Sequence, residues 1–176
     1  MDNIAIFRVM IKDLDDLVLI SRQTYFETFF DAFNDPAAFE VYIAEVYAAE
    51  RLRKELQDVD TRFYFAANPQ GILGYYKLNF RTAQSIFRGN NAAEIERIYV
   101  LADHQAKGIG TALLRHAIAE AGSEEIKDLW LAVWDQNHQA ITFYKRNGWR
   151  RFGTHNYIIN KELQTDILLH FDPDVL

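Results

Sequence analysis

The sequence predicts a mixed α/β domain, and three stretches support that reading. Glu94 to Gly122 reads as a strand, a glycine-bearing turn and a helix in succession. Thr61 to Phe80 reads as two strands joined by Asn68-Pro69-Gln70-Gly71, a strong hairpin signal. Leu129-Trp130-Leu131-Ala132-Val133 is too apolar for an exposed edge and is therefore an interior strand. The chain has 176 residues, 49% hydrophobic and 25% charged, enough for one well-buried core, so a single domain over 1–176 is expected.

Each element has a local reason. Asn3 to Met10 alternates as a first strand, with Ile4, Ile6 and Arg8 on one side and Ala5, Phe7 and Val9 on the other. Asp13 is expected to cap a helix starting at Leu14, whose apolar stripe of Leu14, Leu17, Val18 and Ile20 runs into an aromatic cluster from Tyr25 to Phe33. That cluster is either core packing or the lining of a substrate pocket. Asp35-Pro36 restarts a helix, with aspartate as cap and proline at the first helical position. Ala48 to Leu56 follows, with Glu50 and Lys54 at ion-pair spacing. In the hairpin strands, Thr61–Ala67 and Ile72–Phe80, Gly74 is a candidate bulge. A polar loop, Ala83 to Asn91, leads to the strand Glu94–Val100. The next helix shows Leu113, Leu114, Ala117 and Ile118 on one side and is expected to end at Gly122. Ile126 to Val133 is a strand, Asn137 caps a helix from His138 to Arg146, and Asn147-Gly148 closes it. Trp149 to Phe171 reads as two further antiparallel strands.

Composition excludes several functions. A net charge of −6 argues against a nucleic-acid partner and suits a cationic small substrate. With no cysteine, disulfides, thiolate metal sites and a cysteine nucleophile are excluded. The histidines lack metal-binding spacing, so no metal is expected. Ser21, Ser85 and Ser123 lack a Gly-x-Ser-x-Gly setting, so no covalent acyl-enzyme is expected either. No stretch reaches membrane-spanning length and no basic region precedes a long apolar run, so a cytoplasmic protein without a membrane partner is expected.

The run Gln105-Ala106-Lys107-Gly108-Ile109-Gly110-Thr111 gathers unpaired helix-start amides behind a strand, and its glycines let a ligand approach the backbone. With the helix dipole this makes a phosphate cradle; the other reading is a turn with glycines for geometry alone. A dinucleotide fingerprint needs a third glycine where Leu113 stands, and a Walker A loop needs lysine after the glycines, whereas Lys107 precedes them. The remaining pattern, Gln-x-x-Gly-x-Gly between strand and helix, resembles the acyl-CoA pyrophosphate loop of the GNAT N-acetyltransferase superfamily. Asn137, Ala140-x-x-Phe143-Tyr144 and Gly148-Trp149 resemble that superfamily's later motif, in the right order and spacing. Glu94-Ile95-Glu96-Arg97-Ile98-Tyr99, Trp130-Leu131-x-Val133-Trp134 and Gln164-Thr165-Asp166 are similar to its PaiA-type polyamine N-acetyltransferases.

The resemblance implies a GNAT fold, a central and mainly antiparallel mixed sheet of about seven strands with helices on both faces. It implies acetyl transfer from acetyl-CoA to a small-molecule primary amine, with polyamines as leading acceptors and a homodimer as an admissible assembly. A protein N-terminus, a lysine or an amino sugar are alternative acceptors, and a silent CoA-binding sensor is the rival from another class. Carried over, the backbone of Ile98, Tyr99 and Val100 receives the acetyl and pantetheine groups, and the amides from Gln105 to Thr111 hold the pyrophosphate, with Lys107 adding charge. Asn137 bonds the pantetheine arm or serves only as a cap. Lys145 reaches the adenosine phosphate, or joins Arg146, Arg150 and Arg151 in a solvated basic face. Tyr144 is the proton donor to the departing thiolate, or a packing residue beside Phe143. Glu94 and Glu96, on one strand face by alternation, are candidates for the base, with a water chain as the alternative. Glu27 and Asp31, at helical spacing, are candidates to hold a cationic acceptor.

Overall fold

Strands apolar on both sides must be covered on both sides, and this sheet is. The computed structural model describes residues 4–32, 35–159 and 162–173; Asn3 and Phe33 therefore lie outside the described residues. Its strands are β1 (Ala5–Arg8), β2 (Thr61–Asn68), β3 (Gly71–Phe80), β4 (Ala92–Val100), β5 (Asp128–Trp134), β6 (Trp149–Ile159) and β7 (Glu162–Phe171). They form one sheet in the order β1-β2-β3-β4-β5-β7-β6, antiparallel throughout except between β4 and β5. Helices α4 (Ile109–Ser123) and α5 (His138–Arg146) cover one face over Leu78, Ile95, Leu131 and Leu169. Helices α1 (Leu14–Phe29), α2 (Pro36–Val46) and α3 (Ala49–Gln57) cover the other over Phe63, Phe65 and Tyr75.

The helix starts follow capping chemistry in two of three cases. The Asp35 carboxylate accepts from Ala37 N and Ala38 N at 3.0 and 3.1 Å, and Asn137 Oδ1 accepts from Ala140 N at 3.0 Å. Asp13 stands at the cap position of α1, but its carboxylate turns back to accept from Met10 N at 2.9 Å, leaving the helix amides to other partners. Gly122 does not end α4, which runs on to Ser123. Glu125 makes the closing turn instead, with φ 57°, while Ile126 N and Glu125 N bond back to the carbonyls of Ala121 and Gly122, each at 3.1 Å. This double closure suffices to end the helix, and the strand consequently starts at Asp128 rather than Ile126.

In the β2–β3 hairpin, Ala66 pairs with Gly74 and Ala67 with Ile72, so the extra residue is Leu73, immediately beside the expected position. Gly74 has a different constraint. A Cβ there would stand 2.5 Å from the Tyr99 carbonyl oxygen and 3.0 Å from Val100 Cα, both backbone atoms of β4. Gly74→Ala must therefore push β3 and β4 apart. The expected loss is about 1–3 kcal/mol, read by denaturant unfolding; a variant as stable as the parent would show that β4 yields without cost.

Candidate active site

The parallel pairing of β4 with β5 covers only Ala92–Glu94 against Asp128–Trp130. Beyond it the strands part, because β4 carries a bulge: Lys77 pairs with Arg97 and Leu78 with Ile95, leaving Glu96 as the extra residue. A cleft of about 740 Å³ opens there and passes through the sheet. The far half of β4, Ile98, Tyr99 and Val100, forms one wall, and Ala132 to Trp134 of β5 the opposite one. The α4 start and α5 line it from one face, and Thr28 and Phe29 of α1 from the other.

At the first mouth the loop before α4 is wound by two left-handed residues, Ala106 at φ 58° and Gly108 at φ 84°. The first helical bond is Ala112 N to Gly108 O at 3.0 Å. Among the described residues, no amide from Ala106 to Thr111 donates to a backbone carbonyl, so six N–H groups are left without a backbone acceptor around the helix start. Gln105 steadies this loop, donating from Nε2 to Val100 O at 3.1 Å and accepting from Gln139 Nε2 at 3.4 Å. Gln105, Ala106, Gly108, Gly110 and Thr111 line the cleft. The Lys107 side chain is exposed and outside the lining, and that of Ile109 is buried in the core. Neither of these two residues lines the cleft.

Asn137 lines the cleft while its Oδ1 caps α5, so both of its readings are compatible; its amide NH₂ has no protein acceptor among the described residues. Lys145 is exposed and stands away from the lining, whereas Arg146 is part of it. Helical spacing accounts for the difference: Arg146 shares a face with Gln139, Thr142 and Phe143, all cleft residues. That spacing was available in the sequence.

Tyr144 is 7% exposed and lines the cleft, with its ring against Phe143 and Trp149 at centroid distances of 5.3 and 6.0 Å. Its hydroxyl bonds to no protein group among the described residues. Burial pushes the phenol well above its ordinary range, so it stays protonated and is a donor in neutral solution.

The two glutamates face the same side, but in different settings. Glu94 is buried outside the lining, its carboxylate accepting from Ser85 N at 2.6 Å and from the Ser85 hydroxyl. Burial raises its carboxyl, with the Ser85 bonds opposing. Glu96 lines the cleft and accepts from Lys77 Nζ at 2.7 Å, Arg97 Nη2 at 3.0 Å and Asn79 Nδ2 at 2.5 Å. Burial alone would raise Glu96, but Arg97 and Lys77 outweigh it and hold the carboxyl below its usual range. Glu55 of α3 completes the network with Lys77 at 3.0 Å and Arg97 at 3.0 Å. Glu27 is engaged elsewhere, accepting from Ala102 N at 2.8 Å and Gln23 Nε2 at 2.9 Å; neither Glu27 nor Asp31 lines the cleft. Among the described residues no helix is long and apolar enough to cross a membrane, and no His, Asp and Glu cluster is arranged to hold a metal.

Comparison with known proteins agrees with this geometry. Residues 22–149 match the family described as Acetyltransferase (GNAT) family. An uncharacterized N-acetyltransferase from the pepI 3′ region of Lactobacillus delbrueckii subsp. lactis is 35% identical over 170 residues, covering 96% of this chain and 97% of that protein. The spermidine N(1)-acetyltransferase of Thermoplasma acidophilum is 26% identical over 152 residues, covering 84% and 89% respectively. Among solved structures, the PaiA N-acetyltransferase of Thermoplasma acidophilum in complex with coenzyme A shares the fold, with a TM-score of 0.78 at 24% identity over 96% of this chain and 98% of that one.

Proposed function

This chain belongs to the GNAT acetyltransferase family and is an acetyl-CoA-dependent N-acetyltransferase, and we propose that its acceptors are polyamines, acetylated by direct attack within a ternary complex. The observation that supports direct transfer is a single cleft lined by Ala106, Gly108, Gly110 and Thr111, whose amides have no backbone acceptor, with an unpartnered, protonated phenol inside it. The amides from Ala106 to Thr111 hold the pyrophosphate of acetyl-CoA, and Asn137 Nδ2 is free to bond its pantetheine arm. Arg146, rather than Lys145, is the cation of α5 that meets the phosphates. The diverging β4 backbone at Ile98, Tyr99 and Val100 receives the thioester.

A neutral amine then attacks the thioester carbonyl carbon. The C–N bond forms, the C–S bond breaks, and the sulfur leaves with the electron pair and takes the proton of Tyr144. The surplus proton on the new amide nitrogen leaves through water held by Glu96, and Tyr144 regains a proton from solvent. Glu96 suits that part because its cationic neighbours keep it ionised. Glu94, tied to Ser85, is the less accessible carboxylate. The chain has no cysteine to carry the acetyl group covalently.

The polyamine assignment is supported by the acidic balance of the chain and by the acceptor named for the Thermoplasma relative. Thiol release from acetyl-CoA, measured with spermidine, butylamine, an amino sugar and a peptide, tests it. The highest kcat/KM is expected for spermidine. Equal values for spermidine and butylamine would remove the polyamine assignment, and no thiol release with any of these amines would remove catalysis, leaving a CoA sensor.

The cradle has its own test. Gly108 sits at φ 84°, where any side chain is strained by roughly 1–2 kcal/mol. No atom lies within 4 Å of a Cβ built there, so the fold has room for one, and the strain falls on the loop backbone itself. Gly108→Val is expected to lower CoA affinity at least tenfold in calorimetric titration while the protein stays folded. Unchanged affinity would take the loop out of the site.

A further inference from the structure

The cleft is also lined from the α1 side of the sheet, and aromatic rings and carboxylates gather at that end. Leu131, Val133 and Leu169 point into the α4–α5 core, so Trp134 and Asp166, on alternate positions, turn toward α1. The two are direct partners across β5 and β7. Trp134 Nε1 donates to Gln164 Oε1 at 2.8 Å, and the Tyr157 hydroxyl donates to Asp166 Oδ1 at 3.1 Å. The ring of Phe29 lies 6.1 Å from Trp134 and 6.3 Å from Tyr99, centroid to centroid. Phe29, Tyr99 and Trp134 all line the same cleft as Tyr144. Aromatic rings therefore line the cleft from Tyr144 to Trp134, and Asp166, itself outside the lining, stands beside Trp134 as its strand partner.

Asp166 is half-buried, and Asp135, next along the chain from Trp134, adds a second negative charge to its surroundings. Among the described residues neither carboxylate has a salt-bridge partner. Burial pushes the Asp166 carboxyl up and Asp135 adds to this, while the Tyr157 bond and His155, its strand partner on β6, oppose it. Burial outweighs both, and His155 makes no ion pair with the carboxylate. Tyr157 occupies one lone pair of the carboxylate and leaves the others for a donor. Aromatic faces beside an unpaired carboxylate attract an ammonium group on both counts.

We propose that Asp166, together with Tyr157, sets the specificity of this end of the cleft for a diamine or longer polyamine. Asp166 and Tyr157 anchor the ammonium group that is not acetylated, and Phe29, Tyr99 and Trp134 enclose the methylene chain. The inference rests on the acetyl-transfer reading for the nitrogen at Tyr144, but the anchor itself is a matter of binding. An acceptor with one charge fills only the reactive end, whereas one with two is held at both.

Two measurements separate the anchor from the transfer. Calorimetric titration of spermidine and of butylamine into the CoA-saturated protein reads the anchor, and thiol release reads transfer. In Asp166→Asn the spermidine-to-butylamine affinity ratio is expected to fall about tenfold, the scale of one charge-assisted contact, with kcat/KM for spermidine falling in parallel. Asparagine keeps the size of the side chain and an oxygen for Tyr157, so the fold is preserved. Asp135→Asn, one step from the anchor, should give a smaller fall in the same ratio and guards against a folding defect in the first variant. An unchanged ratio in Asp166→Asn, or a parent that binds the two amines alike, overturns the anchor. Spermidine bound in an Asp166-dependent way but never acetylated upholds the anchor and overturns the transfer reading.

Discussion

Replacing Tyr144 with phenylalanine is expected to lower kcat and kcat/KM together by about 10²- to 10⁴-fold, the range for loss of a general acid. The phenol oxygen is needed only as the C–S bond breaks, so CoA affinity should change little. The structure makes this substitution unusually clean. The hydroxyl has no protein partner among the described residues, so its removal orphans no buried group, and the ring keeps its contacts with Phe143 and Trp149. An unchanged melting temperature is the control. Because burial raises the phenol above its ordinary value, the parent should lose no activity through tyrosinate formation anywhere near neutral pH. The chemical step must be timed in the pre-steady state, since slow product release can mask a defect in kcat. A phenylalanine variant that transfers acetyl at the parental rate would return proton donation to water.

Arg97→Met is expected to have the largest effect on stability, a loss of about 3–5 kcal/mol, because it removes one member of a buried ionic network without its partners. The Arg97 side chain is 6% exposed, reaches Glu55 at 3.0 Å and Glu96 at 3.0 Å, and lies over the Tyr47 ring at 5.1 Å. Without it, Lys77 alone faces two carboxylates. For a domain of this size the melting temperature should fall by about 6–20 °C. The pH dependence follows from Glu96, whose folded pKa lies below its unfolded value. Its stabilising contribution is present above the ordinary carboxylate range and is lost as pH falls through the lower folded value. Removing Arg97 takes away the largest opposing charge, so the acid limb of stability should begin at higher pH in the variant. Equal stability profiles across the acid range would mean that Lys77 suffices to hold both acids.

The network also shows where sequence reading stops. Local signals were enough wherever the chain satisfies itself over a few residues. Asp35-Pro36, Asn137 with Ala140, the Asn68-Pro69-Gln70-Gly71 turn and the glycine-bearing loop before α4 each have their chemistry within a short window, and the resemblance supplied the arrangement of seven strands. Local signals failed where the partner is distant. Asp13 had a nearer donor in Met10, and α4 passed Gly122 because Glu125 and Ile126 completed the closure. The Glu96 bulge is a property of the register between β3 and β4, and no residue type announces it.

The same limit divides the site. That residues of the loop before α4, Asn137 and Tyr144 line one cleft was expected from the sequence, because the loop and α5 are each continuous in it. Which carboxylate lines the cleft was not legible, since Glu94 and Glu96 look alike two residues apart. Ser85 holds one, and Lys77, Asn79 and Arg97 hold the other beside the opening. Likewise, Glu27 had the spacing of an acceptor contact but is committed to the Ala102 amide, while Asp166 lies opposite Trp134 only because β7 enters the sheet beside β5. Spacing along the chain places groups that share one helix or one turn. Which carboxylate lines the cleft, and which stands beside it, depends on strand register and on the long-range hydrogen bonds available to each, and those arise only when the sheet closes.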